Sequence, residues 1–322
     1  LPTAENPEQA LTKTPPVNPA QSVDTTAWRN HIYQHMLRTR GAKYLWFLKY
    51  LKLFRLIAKT PERADFLESY YTLMRYLDDI VDEDAPLPQG YADTESCLFD
   101  KIRFAGNPVD PSDESDAMMI HCFQLGNTFG ESFTDETENI LGSLLFDARR
   151  MEKFRFFRSE ELMAHYHQLD IRGTVKATIK LFRENPDDFL LLEPLGMASR
   201  FFYDIRDVYD DLSKGLVNIS LEDAGAFGIT ASNINESGNP GIQRWCRAQA
   251  LRGLQLLDLH RQQIRKGSFR LSTRLTFLFV YERPARGFFN KTLRRTANLE
   301  PFTIPDVNTG NYVLKTTHPK RI

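Results

Sequence analysis

From Trp28 onward, apolar residues recur three and four positions apart, and the strict alternation of a half-buried strand is nearly absent. The pattern predicts helices at about 29–57, 61–84, 92–104, 115–130, 135–156, 160–183, 187–214, 221–228, 240–265 and 271–290. Local start signals agree with it. In KTPERADFLESYYTLMRYL, Thr60 is a candidate N-cap, Pro61 suits the first helical position, and Glu62 suits the first turn. In FRSEELMAHY, Ser159 precedes two acids, another favourable start. Breaks fall at APLPQG, GNPVDPSDESD, RENPDD and NESGNPG. No linker separates two cores, so one all-α domain is expected over 28–295, with arms at 1–27 and 296–322.

Composition narrows the classes of function. A net charge of −1 over 322 residues gives no bulk attraction to nucleic acid or to an anionic membrane surface. Cys97, Cys122 and Cys246 are an odd number and far apart, which argues against a disulfide scaffold and excludes a CxxC metal site. A cytoplasmic protein is therefore expected. The opening LPTAENPEQALTKTPPVNPAQ is polar and proline-rich, unlike a signal peptide. No run reaches the ~18 apolar residues of a membrane span. YLWFLKYLKLFRLIAK is broken by Lys49, Lys52 and Arg55, and LTFLFVY is short. Such cationic-apolar mixtures could touch a membrane surface, although a helix packed on a core is the commoner case.

Two stretches carry the candidate chemistry. LMRYLDDIVDED sets Asp78, Asp79, Asp82, Glu83 and Asp84 beside Leu77, Ile80 and Val81. At ~100° per residue, Tyr71, Arg75, Asp78 and Asp82 share one face of a helix, with Asp79 bordering it. In RFFYDIRDVYDDLSKGLVNISLED, Arg200, Tyr203, Asp204, Asp207 and Asp211 form a second polar stripe, flanked by Phe201, Phe202, Ile205, Val208 and Leu212. Like charges one turn apart destabilise a helix unless something neutralises them. Two explanations are open: Arg75, Arg200 and Arg206 pair the acids into a structural network, or the acids hold divalent cations. All-oxygen donors without His or Cys suit Mg²⁺, which takes a few carboxylates, waters and substrate phosphates.

YYTLMRYLDDIVDE resembles the Y-x-x-x-R-x-x-D-D-x-x-D-E segment of squalene and phytoene synthases, the head-to-head prenyl synthases. LGMASRFFYDIRDVYDDLSKGLVNISLED is similar to that family's second acidic motif, and IRGTVKAT to its V-A-G-x-V-G. The resemblance runs over about 45–285. It implies an all-α isoprenoid synthase fold with a central cavity between the two acidic helices. It also implies Mg²⁺ on Asp78, Asp79, Asp82, Asp204, Asp207 and Asp211, holding an allylic prenyl diphosphate. Diphosphate grips would come from Arg75, Arg206, Arg200, Lys176, Lys214 and Arg172, and Tyr71, Tyr203 and Phe202 would touch substrate.

The departures from that pattern matter. The family's Gln and Asn are Arg200 and Tyr203, its small residues are Arg172 and Lys176, and its tyrosine is His167, with Tyr166 adjacent. Leu216 and Asn218 replace a basic residue and a tyrosine, and no serine lies between Ser22 and Ser69, where the family has a serine-rich grip. Charge at 172 and 176, if it faces the cavity, lies where the family keeps room for a greasy chain, which fits a shorter donor or an acceptor that is not a prenyl diphosphate. The expected acceptor is then a small aromatic compound, as in the family branch that prenylates carbazoles, with His167 or Tyr166 orienting it or taking its proton. Head-to-head coupling with a second prenyl diphosphate is the alternative. Cyclisation of one prenyl diphosphate is a third reading, and binding without catalysis a fourth.

Overall fold

The computed structural model describes residues 24–58 and 60–299. Among them helices are the regular elements, and a single bridge pairs Phe157 with Ser220. Asp24 accepts from the Thr26 and Ala27 N–H groups, both at 3.0 Å, and starts α1 (Thr25–Arg40). Trp28 thus lies inside a helix, not at its threshold. The expected helix over 29–57 breaks at Gly41 (φ 64°), and α2 (Ala42–Ile57) follows. Then come α3 (Pro61–Val81), α4 (Thr94–Gly106), α5 (Glu114–Thr128) and α6 (Thr134–Arg150). Thr60 does precede α3, but its side chain makes no capping bond. The arms expected at 1–27 and 296–322 lie for the most part outside the described residues.

The expected helix over 160–183 is three pieces: α7 (Ser159–Tyr166), a π-helical segment (His167–Val175) and α8 (Lys176–Leu181). A 3-10 stretch (Pro186–Leu192) leads into α9 (Glu193–Ser213). The chain ends with α10 (Leu221–Phe227), α11 (Pro240–Lys266), α12 (Leu271–Thr276), a second π segment (Phe277–Glu282) and α13 (Arg283–Arg295). Wide π turns are accommodated where neighbours press close. A Cβ on Gly196 of α9 would sit 2.3 Å from Ile171 Cδ1, so that glycine lets α9 lie against the first π segment.

Long-range bonds fix the direction of the helices. Near the start of α3, Arg63 donates to the carbonyls of Lys180 and Leu181 at the end of α8, from which the 3-10 stretch leads to α9. Lys180 in turn bonds Ser132 and Glu136 at the start of α6. At the other end, Lys214 after α9 donates to the Asp82 carbonyl after α3 (3.0 Å), and Arg150 at the end of α6 donates to Val217 and Asn218. Hence α3, α6 and α9 run in the same direction, with α7–α8 returning between them. The acid-rich C-termini of α3 and α9 come together at one end. One core cluster joins α1–α6, a second joins α7–α9 to α11 and α13, and a third lies under residues 216–248.

Candidate active site

Helix C-termini carry partial negative charge, so aspartates there need cations. In the last turns of α3, Arg75 bridges these aspartates. Arg75 bonds Asp78 through Nη1 and Asp79 through Nη2 (2.5 Å), and Nη2 lies 3.8 Å from Asp82 Oδ2. Asp79, expected at the border of the stripe, is buried and is Arg75's second partner. Asp82, expected within the helix, is its C-cap, and Glu83 follows with φ 61°. The shared face survives because Arg75 and Lys214 both reach over the cap; Lys214 Nζ is 3.8 Å from Asp82 Oδ1. Tyr71 packs, half-buried, against the first core cluster.

On α9 the acids are satisfied separately. Arg200 Nε donates to Asp204 Oδ1 (2.9 Å), and its guanidinium lies 5.1 Å over the Tyr166 ring. Arg206 grips Asp207 through both oxygens at 2.7 and 2.5 Å, and its guanidinium lies over Tyr203 and Phe202. Asp211 receives an amide bond from Asn218 Nδ2 (2.9 Å), and Asn218 is held by Arg150 (2.7 Å). Burial pushes the Asp211 carboxyl up to about 7. Arg200 opposes that rise, while the charges of Asp204, Asp207 and Asp82 add to it. Asp82 on α3 is therefore close enough to Asp211 on α9 for each to feel the other.

The turn after α9 is built by Gly215, with φ 75°. A Cβ there would meet the Glu152 backbone at 2.6 Å. Backbone bonds from Glu152 to Lys214 and from Phe154 to Gly215 clamp the two strands of chain together. That clamp sets Lys214 against Asp82 and Asn218 against Asp211.

A third wall was not singled out from sequence. Asp147 and Arg150 on α6, His165 on α7 and Asp170 on the π segment lie near Arg200 and Asp204, and Glu193 at the start of α9 lies beside His167. Burial raises Asp147, but Arg150 and His165 more than reverse it and keep it ionised. Asp170 goes the other way. Burial drives it up to about 7, with Arg200 opposing and Asp204 and Asp147 assisting. Burial likewise raises Glu193 to about 7 and lowers His167 to about 4, the Arg172 charge adding to the latter. His167 Nε2 is 3.5 Å from Glu193 Oε1. Tyr166 is buried and its proton is held far above the usual range, by burial and by the Asp204 charge.

Two expected grips are not with the acids. Lys176 Nζ pairs with Glu136 Oε1 (3.2 Å) and Asp135 Oδ2 (3.7 Å) in the first turn of α6. That is eleven residues, or ~16 Å of helix rise, from Asp147 at the acidic end. Arg172 is exposed. Arg172 lies within the π segment and Lys176 is the first residue of α8.

The donors fit a hard cation only in part by themselves. All are carboxylate oxygens, and Asp204 Oδ2 is buried without a hydrogen-bond partner. Among the described residues, however, no group of three or more His, Cys, Asp or Glu could hold a metal alone. The carboxylates stand on two walls, so diphosphate oxygens and water would complete the coordination of ions between them, as suits Mg²⁺.

The helical arrangement is that of an isoprenoid synthase fold. Squalene synthase HpnC from Alicyclobacillus acidocaldarius matches with a TM-score of 0.61 and 15% identity, over 88% of this chain and 100% of that one. A dehydrosqualene synthase solved in complex with a ligand matches with a TM-score of 0.57 and 17% identity, over 92% and 96%. No family model matches the chain, and no curated protein does.

Proposed function

We propose that the protein is a Mg²⁺-dependent, cytoplasmic prenyltransferase that ionises an allylic prenyl diphosphate. The observation that carries this reading is the meeting of two aspartate-rich helix ends, through Lys214 and Asp82, on a fold shared with two prenyl-coupling enzymes. Bound between Asp78, Asp79 and Asp82 on one side and Asp204, Asp207 and Asp211 on the other, Mg²⁺ would stabilise negative charge on the departing diphosphate. Arg75, Arg206 and Lys214 stand around the same ends and exchange carboxylate for phosphate partners. Arg200 is held by Asp204 and Tyr166 and orients that acid. The C–O bond breaks, diphosphate leaves with the electron pair, and the allylic cation is shielded by the apolar faces of α9 and the aromatic rings of Phe202 and Tyr203.

The acceptor in this reading is a small aromatic compound. Asp170 Oδ2 and His167 Nε2 are buried polar atoms without hydrogen-bond partners, which favours a polar, flat acceptor over a second hydrocarbon chain. His167, neutral at pH 7, can accept the proton lost when the ring carbon is alkylated. Tyr166 orients Arg200 rather than serving as a base. Head-to-head coupling is the second reading, favoured by the names of both structural relatives. The two part on one experiment. C5, C10, C15 and C20 allylic diphosphates are offered with Mg²⁺, with and without aromatic acceptors, and products are read by mass. Prenylated aromatic product supports the first reading; a hydrocarbon made from donor alone overturns it in favour of the second.

A further inference from the structure

The second π segment has two sides. Inward, Tyr281 shares a hydrogen bond with Tyr50 of α2 and lies within electrostatic reach of Tyr203 on α9. Phe277 reaches Phe182 (6.1 Å), which packs edge-on against Phe54 of α2 (5.4 Å). Those contacts place α2 and the 271–282 helical stretch side by side. Outward, Leu271, Leu275 and Phe279 recur every fourth residue and are exposed, with Val280 beside them. On α2, Leu53 and Leu56 are exposed as well. Leu56 is 81% exposed, Leu271 71% and Phe279 57%, so large apolar side chains protrude together from adjoining elements.

These two elements carry charge of one sign themselves, while the acids that reach them from neighbouring positions, Asp65, Glu68, Glu184, Asp188 and Glu282, are engaged in bonds to Arg55, Arg270, Thr273, Ser268 and Arg261. No Asp or Glu occurs in residues 42–58 or 259–281. Lys52, Arg265, Lys266, Arg270 and Arg283 are exposed on or next to the same elements. Arg55 is turned away into pairs with Asp65 and Glu68. A chain of net charge −1 therefore carries a locally cationic face with protruding leucine and phenylalanine side chains. No helix among the described residues is long and apolar enough to cross a membrane, so such a face would lie on a bilayer rather than span it.

We propose that this face, formed by α2 and residues 265–283, docks on an anionic lipid bilayer, with Leu53, Leu56, Leu271, Leu275, Phe279 and Val280 entering the headgroup region and the basic residues meeting lipid phosphates. Apolar insertion and electrostatic attraction act together at such surfaces, each basic residue near the surface contributing about fivefold in affinity. The proposal stands apart from the prenyl chemistry argued above, since it uses none of the acidic residues.

The test is sedimentation of the full chain with vesicles of phosphatidylcholine alone or with roughly a third phosphatidylglycerol, at about 0.1 M and about 0.5 M salt. Binding to the anionic vesicles is expected to be at least ~10-fold tighter and to weaken several-fold at the higher salt. Lys266→Gln with Arg270→Gln should lower it by about 25-fold, and Leu271→Ser with Phe279→Ser by a similar factor. Circular dichroism and melting temperature should stay unchanged in both variants. No binding to the anionic vesicles, equal binding to both kinds, or binding unchanged in either variant would overturn the proposal. So would a wild-type dimer that Leu271→Ser with Phe279→Ser converts to monomer, which would assign the face to a second copy of the chain.

Discussion

The two acidic helix ends share a sequence pattern but not an electrostatic design. On α3 the Arg75 guanidinium holds Asp78 and Asp79 together and lies near Asp82. On α9 the arginines are dealt out one per acid, to Asp204 and Asp207, and Asp211 is left with the amide of Asn218. A cation arriving at α3 competes with Arg75; one arriving at Asp211 competes with a proton. The same D-x-x-x-D spacing therefore yields one end poised by ion pairing and another poised by protonation.

The largest expected effect comes from breaking either end. Asp78→Asn or Asp207→Asn should lower Mg²⁺-dependent diphosphate release at least ~100-fold, with helical circular dichroism retained, because in the proposed reading each removes charge that would hold the metal beside the leaving group. Unchanged turnover in either variant counts against the shared role. Next comes the contrast between arginines, read as chemical denaturation midpoints. Arg75→Ala removes a guanidinium from buried Asp79 and should destabilise the fold by about 3 kcal/mol, whereas Arg206→Ala, in an exposed pair, should cost less than about 1 kcal/mol. Equal losses would erase the distinction between the two ends.

Gly215→Ala follows, at about 1–3 kcal/mol, since the added methyl meets the Glu152 backbone in a left-handed turn; thermal unfolding reads it. The smallest effect is one of pH. The folded Glu193 carboxyl is raised to about 7, above its unfolded value, so its stabilising contribution is complete below about 4.5 and is lost as pH rises through about 7. Glu193→Gln should therefore flatten the fall in stability between pH 5 and pH 8 that the native chain shows. An identical slope would place Glu193 outside the linkage.

Periodicity made the acidic helices legible, because carboxylates on an otherwise apolar 3.6-residue repeat stand out whatever surrounds them. It did not reveal that Asp82 lies past the end of α3, since a helix end decided by tertiary contacts with Lys214 leaves no local mark. The π segment was also hidden: HQLDIRGTV reads as ordinary helix, and the close approach of Gly196 to Ile171 that accommodates the wide turns is non-local. Lys176, just past that segment, pairs with Glu136. The third wall did leave a signal. Asp147 and Arg150 in FDARR, and Asp170 beside Ile171, are polar residues on apolar helices, the same feature that drew attention to Asp78 and Asp207. Coming singly rather than as paired carboxylates, they form no D-x-x-x-D pattern.

Calorimetric titration with a non-ionisable allylic diphosphate analogue tests the central claim most directly. Tight binding should require Mg²⁺ and should vanish in both Asp78→Asn and Asp207→Asn. Equal affinity in the presence of a chelator, or in either variant, would contradict it.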